Sequence, residues 1–197
     1  FTSSTLKTVE SWPKSHKVQG RAHFVDAKTV EVNGQLYQAK SFILAVGSTP
    51  SFNPMWKDEL GDRLITSDQI FELDALPNSL AVIGSGVIAI ELAQAMQRLG
   101  VKTTVFARSR KVGVLTSPKL QQLAQTEIGD ELEIKFEVLP TEVKYTNDQV
   151  ELSFTENSQP KTLNVDYLLV ATGRSSLLNT LKLKNIATSF TDLKHLP

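Results

Sequence analysis

Residues 80–91, LAVIGSGVIAIE, place two glycines inside the most apolar stretch of the chain. Glycine weakens both helix and strand, so a pair of them there has to serve a sharp turn or the close approach of something to the backbone. Leu80–Ile83 reads as a buried strand. Beyond the glycines, Val87, Ile88, Ile90, Leu92, Ala93, Ala95, Met96 and Leu99 fall mainly on one broad helical face, and Gly100 stands where a helix stops. VKTTVFA, at 101–107, reads as a second strand. Few arrangements other than a strand–turn–helix–strand unit satisfy that order.

Such a unit, completed within about 30 residues, is the βαβ module of a dinucleotide-binding fold. In it Gly84 turns the chain tightly out of the strand, and Gly86, lacking a β-carbon, lets a diphosphate come close to the backbone. Ala89 takes the third position, where a small residue allows helix and strand to pack closely. The amides of Ser85, Gly86, Val87 and Ile88 then face the phosphates with the help of the helix dipole. A carboxylate usually follows the second strand, about 20 residues after the glycines, where NAD is bound through its ribose hydroxyls. Here Ala107 is followed by Arg108-Ser109-Arg110-Lys111. Guanidinium groups clasp phosphate, so the chemistry leans to NADP, with NAD kept open and a solvated basic loop as the plain alternative.

The flanking sequence supplies more strands. GRAHFVD, TVEV and QLYQA, the last two joined by Asn33-Gly34, predict a hairpin over Val30–Gln38. SFILAVG predicts a strand covered on both faces, STPSFNPMW a connection, and TSDQIFEL a short helix capped by Thr66 or Ser67. Ser117-Pro118 opens a further helix, and EIKFEV is a third strand of the module. EVKYT, QVELSFTE and KTLNV, separated by Asn147-Asp148 and by 157–160, form a small antiparallel meander, and Tyr167–Ala171 is an apolar strand stopping at Gly173. The predicted fold is therefore α/β, a Rossmann-like βαβ dinucleotide-binding domain with an antiparallel β-meander, preceded by a β-rich segment.

Composition narrows the function. Twenty-one basic and 21 acidic side chains balance, which gives no reason to expect nucleic acid or a membrane surface as partner. There is no cysteine, and His16, His23 and His195 are far apart, so no metal site is expected. No apolar run approaches the roughly 20 residues of a membrane helix, and a cytoplasmic location is the expectation. The acidic cluster Glu127, Asp130, Glu131 and Glu133 reads as a solvated helix end, and no Gly-x-Ser-x-Gly motif supports a serine hydrolase.

Three stretches, VQGRAHFVDAKTVEV with SFILAVGSTP, TSDQIFELDALPNSLAVIGSGVIAIELAQAMQRLG, and VDYLLVATGR, resemble the flavin-dependent pyridine nucleotide-disulfide oxidoreductases, the group of dihydrolipoamide dehydrogenase and glutathione reductase. The resemblance implies a partial FAD-domain segment over 1–75, a nicotinamide-dinucleotide domain over 76–174 and the start of a return to the FAD domain over 175–197. It also implies that the chain is the middle of a longer, homodimeric enzyme that passes electrons between NAD(P)H and a thiol or disulfide through FAD. The redox cysteine pair and the remaining flavin motifs would lie elsewhere in the parent, so no catalytic residue is expected in this piece. Gly173 would let the dinucleotide pass close to the backbone, Glu91 would stand near nicotinamide and flavin, and Arg108 with Arg110 near the adenosine ribose. Val87 stands where glutathione reductases carry Tyr and lipoamide-type enzymes an aliphatic residue, which favours the latter. Those enzymes usually carry Glu near Ala107, so the two markers point to different subtypes. Two further readings stay open: a non-catalytic module sensing NAD(P)H, and a Gly84 loop that binds FAD itself.

Overall fold

The computed structural model describes residues 2–188 and 190. His195 lies outside the described residues, as do the last positions of the segment expected over 175–197. The contacts divide the chain into two units, residues 50–175 and the flanking residues up to Thr49 and from Ser176.

The flanking unit begins with α1 (Thr2–Glu10), followed by an antiparallel sheet of β1 (Ala22–Asp26), β2 (Thr29–Val32) and β3 (Gln35–Gln38) in sequential order. The expected hairpin is present: Asn33 and Gly34 stand at φ 53° and 81°, the two positive values that a type I′ turn needs. Phe24 packs with Leu181 and Leu183 into a small core and meets the Phe42 ring edge-on at 5.0 Å. SFILAVG departs from the expected buried strand. Residues 41–47 have no regular structure, Ile43 is 96% exposed, and only Phe42 and Val46 reach the core. An apolar run becomes a strand only where a neighbouring edge takes up its N–H and C=O groups, and no strand of this unit pairs with it among the described residues.

The chain leaves this unit through β4 (Ser48–Pro50). The stretch read as a plain connection then holds α2 (Pro54–Leu60). The Asn53 side chain accepts from the Met55 N–H at 3.1 Å, and Pro54 takes the first helical position. Seven residues are too few to display a helical period, so only the cap could have revealed it. The short helix expected in TSDQIFEL is instead the end of β5 (Leu64–Thr66), a turn, and a single 3₁₀ turn at Ile70–Glu72. The side chain of Gln69 accepts the Thr66 N–H at 3.2 Å and holds that turn shut.

The predicted module follows as β6 (Ser79–Ile83), α3 (Val87–Arg98), β7 (Lys102–Ala107), α4 (Pro118–Gly129) and β8 (Glu133–Phe136). The meander is β9 (Glu142–Thr146), β10 (Gln149–Glu156) and β11 (Gln159–Val165); β12 (Tyr167–Val170) follows, and β13 (Arg174–Ser176) leads out of the unit. Its turns use Asn147-Asp148 and Asn157-Ser158, all four at positive φ. Pro160 falls inside β11, an edge strand of the meander, where a missing N–H costs nothing. β13 pairs with β4. Five parallel strands form the central sheet in the order β5-β12-β6-β7-β8. β5, which precedes the expected boundary at 75/76, pairs with β12, Ile65 opposite Leu169.

Both faces of the sheet are covered, which is why its strands read as unbroken apolar runs. Leu80, Val82, Val105 and Leu169 pack on one side against Ala89, Ala93 and Met96 of α3. The alternate residues Ala81, Ile83, Phe106, Leu168 and Val170 pack on the other against Val150, Leu152 and Phe154 of the meander. The result is a three-layer unit of helices, parallel sheet and meander. Within the acidic cluster Glu127 and Asp130 are exposed, Glu131 accepts a forked bond from Arg98 at 2.8 and 2.9 Å, and Glu133 accepts from Thr104.

Candidate functional site

At the end of β6 the ladder runs one residue further on each side. The Gly84 N–H donates to Phe106 O, and the Ala171 N–H donates to Ile83 O, both at 2.9 Å. Gly84 itself stands at φ 122°, and a β-carbon there would lie 2.6 Å from the Ala171 carbonyl oxygen. The fold therefore requires glycine at 84. Gly86 is different. It is the N-cap of α3 at φ −69°, a conformation open to any residue, and a β-carbon would meet nothing within 4 Å. No element of this unit explains why position 86 carries no side chain.

What lies beside it is a cavity of about 530 Å³, within the roughly 300–1,000 Å³ of small-molecule sites. Gly84, Ser85, Gly86, Val87 and Ile88 form one wall, Arg108 and Ser109 beyond β7 a second, and Ala171, Thr172, Gly173 and Arg174 beyond β12 a third. Ser67, beyond β5, and the apolar Val114 and Leu139 complete it. These are the C-terminal ends of the parallel strands. The chain builds β6, β7 and β8 in one direction and returns to β12 on the other side of β6, so the crevice lies where the strand order reverses.

The electrostatics of the wall are one-sided. Among the described residues it holds two guanidinium groups and no carboxylate. It also presents the start of a 12-residue helix whose N-cap has no side chain, and no acceptor among the described residues takes the N–H groups of Gly86, Val87 or Ile88. Unpaired N–H groups at a helix N-terminus and the positive end of its dipole favour an anion. Arg174 is held by Asp68, its two terminal nitrogens donating to the carboxylate oxygens at 2.8 and 3.2 Å. That bond holds the Asp68 carboxyl below its ordinary range and raises the Arg174 guanidinium. Arg108 makes no hydrogen bond or ion pair among the described residues.

The structure thus gathers Gly84, Ser85, Gly86, Val87, Ile88, Arg108 and Gly173 around one cavity. Ala89 lies fully buried beneath the turn, its β-carbon 3.5 Å from where one at Gly84 would be, as the close packing of helix and strand demands. Glu91 is exposed on α3, outside the wall. Arg110 also stands outside, 3.5 Å from Glu137 and against the ring of Phe136. Arg174 and Ser67 join the site without having been singled out. The motif ATGR held a signal for Arg174, a cation next to a strand-ending glycine, whereas Ser67 follows a three-residue strand that leaves no periodic trace. Among the described residues no group of three or more His, Cys, Asp or Glu could hold a metal ion, and no helix is long and apolar enough to cross a membrane.

A family model described as pyridine nucleotide-disulphide oxidoreductase matches residues 5–190. The chain is 33% identical over 169 residues to a mercuric reductase of Staphylococcus aureus, covering 85% of this chain and 31% of that protein. It is 32% identical over 192 residues to a dihydrolipoyl dehydrogenase of Geobacillus stearothermophilus, covering 93% and 40% respectively. In structure it is similar to LpdA from Mycobacterium tuberculosis, with TM-score 0.73 at 23% identity over 86% of this chain and 39% of that one. It is also similar to the HOCl-induced flavoprotein disulfide reductase RclA from Escherichia coli, with TM-score 0.71 at 20% identity over 86% and 38%. These two are likenesses of fold. The chain spans about a third to two fifths of the length of these relatives.

Proposed function

Because the chain belongs to the pyridine nucleotide-disulphide oxidoreductase family, we propose that the cavity at its glycine turn seats a nicotinamide dinucleotide. The diphosphate lies against the N–H groups of Gly86, Val87 and Ile88. The observation that carries this reading is Gly86: the fold tolerates a side chain there, the adjoining cavity is lined by cations, and a bound diphosphate is what a β-carbon would displace.

The wall supplies the selectivity. β7 ends on Ala107 with Arg108 at the cavity and no carboxylate in the wall, an arrangement that accepts a 2′-phosphate and offers nothing to hold two ribose hydroxyls. The preferred ligand is therefore NADP(H). Gly173 and Thr172 form the opposite wall, fastened by the Ser51 N–H donating to Gly173 O at 3.0 Å and by Thr172 Oγ1 donating to Ser51 O at 2.7 Å. Gly84, Ser85, Ala89 and Gly173 shape the seat, and Val87 and Ile88 give it an apolar edge. Glu91 and Arg110, outside this wall, would come into play only at the far ends of a bound dinucleotide.

In a full-length parent we read this unit as the nicotinamide side of a dihydrolipoyl dehydrogenase-type flavoenzyme, homodimeric and cytoplasmic. The flanking unit would be part of its FAD domain. Nicotinamide and FAD, when bound, would supply the two rings between which a hydride passes. This chain contributes positioning: cationic and amide groups fix the dinucleotide.

Titration of the chain with NADPH, NADH and FAD, followed by calorimetry, tests the reading. Saturable NADPH binding is the expected result, and saturable FAD binding with no pyridine nucleotide binding would refute it. Arg108→Ala should weaken NADPH about 10–100-fold, the worth of one charge-assisted contact, and NADH far less. Equal weakening of both would remove the phosphate-reading role.

A further inference from the structure

The loop between β7 and α4, residues 108–117, has no regular structure, yet it supplies Arg108, Ser109 and Val114 to the cavity wall. Something outside the loop must hold it. Gln121, in the first turn of α4, is 9% exposed and spends its whole amide on that loop. Its Oε1 accepts the Val112 N–H at 2.9 Å, and its Nε2 donates to Val112 O at 3.1 Å and to Leu115 O at 2.8 Å. One turn later Gln125 Nε2 donates to Arg110 O at 2.6 Å. Between the two residues clasped by Gln121 sits Gly113, at φ 60°, whose N–H donates to the carbonyl of Ser85 at 2.7 Å.

That last bond reaches the glycine turn itself. In a planar trans peptide the C=O and N–H point in opposite directions, so tying the Ser85 carbonyl to Gly113 turns the Gly86 N–H away from the loop. We propose that Gln121 is a positioning residue for the dinucleotide seat: by clasping Val112 and Leu115 it fixes Gly113 on Ser85, and with it the direction of the Gly86 N–H and the place of Arg108. The inference rests on the dinucleotide reading of the cavity. Gln121 itself never touches the ligand. A buried amide with its bonds satisfied specifies one loop geometry, whereas an apolar side chain of similar size leaves one N–H and two carbonyls seeking water.

The test uses the whole chain with Gln121→Leu and, as a second variant, Gln121→Glu, which keeps the acceptor for the Val112 N–H and loses the donor to both carbonyls. NADPH affinity is measured by calorimetry, folding by thermal melting, and hydrogen exchange at the Gly113 and Gly84 amides by NMR. The expected result is a folded Gln121→Leu chain with NADPH binding weakened about tenfold or more, as misplaced ligand-positioning groups produce. Its Gly113 amide should exchange faster while the Gly84 amide, bonded to Phe106 O, stays protected. Undiminished NADPH affinity in a folded variant overturns the inference. So does loss of fold in both variants, which would make Gln121 a residue of stability alone. If the unaltered chain bound no pyridine nucleotide at all, the dinucleotide reading itself would fall, an outcome distinct from either of these.

Discussion

Substituting Ala at the two glycines of the turn should have opposite consequences, and the structure sets both magnitudes. At Gly84 a side chain would have to adopt φ 122° and would place its β-carbon 2.6 Å from a backbone oxygen of the neighbouring strand end. The backbone conformation costs about 1–3 kcal/mol. Relieving the overlap, which only a shift of strand ends can do, costs about 1–3 more. A loss of about 2–6 kcal/mol, at about 4 °C per kcal/mol, lowers the melting temperature by roughly 8–24 °C. At Gly86 the conformation is unstrained and the space empty. The unfolded chain loses about 0.4–1 kcal/mol of conformational freedom, which favours the variant. Ala is a poorer N-cap than Gly by a similar amount, so Gly86→Ala should melt within about 4 °C of the parent chain. On the proposed reading its β-carbon nevertheless stands where the diphosphate approaches. Losing even one charge-assisted bond to an amide costs about 1.5–3 kcal/mol, which is about 10–100-fold in affinity. Differential scanning calorimetry and NADPH titration on the two variants separate the effects. Binding by Gly86→Ala within about twofold of the parent would refute the placement of the diphosphate at this turn.

The meander should matter to the stability of the sheet it covers. Leu152 is wholly buried between β10 and the strands beneath, so Leu152→Ala should cost about 2–5 kcal/mol in urea denaturation; a cost under about 1 kcal/mol would mean that the two layers are not packed as described. Acid should weaken the same unit. Burial raises the Glu133 carboxyl, but bonds from Lys135 and Thr104 outweigh it and leave it below the ordinary 4.5. Bonds from Lys161 and Lys135 lower Glu156 likewise. Carboxyls depressed in the folded state stabilise it fully above pH 4.5, and that contribution fades as pH falls through their lowered values. Lys135→Met should flatten the dependence of the urea midpoint on pH below about 4.5, and an unchanged slope would show that the network carries none of it.

Much of the central module was legible before any coordinates. The predicted extents of β6, α3, β7, β9 and β10 agree with the structure to within a residue, because both local signals and burial pattern point the same way there, while β11 begins at Gln159, two residues before the predicted KTLNV. Glycine at a strand end, a broad apolar helical face and Asn-led turns at positive φ are each properties of a few adjacent residues. The failures are equally physical. FILAV has the composition of a buried strand, but pairing depends on a neighbouring edge, and residues 41–47 find none among the described residues. β5 and α2 are too short to show a period, and TSDQIFEL spends its capping residues on closing a turn.

The amino-acid order by itself determined that a tight glycine turn must join a buried strand to an amphipathic helix, since no other local conformation accommodates those residues. It also determined that the next strand ends without a carboxylate. Only the tertiary structure decided which of the two glycines the fold itself requires, because that depends on the carbonyl of Ala171, 87 residues away from Gly84 in the chain. It likewise decided that Arg174 and the loop held by Gln121 share the wall, and that Glu91 and Arg110 stand outside it. Proximity between strand ends is set by the order in which strands pair across a sheet, and that order is a property of long-range packing that no local stretch encodes.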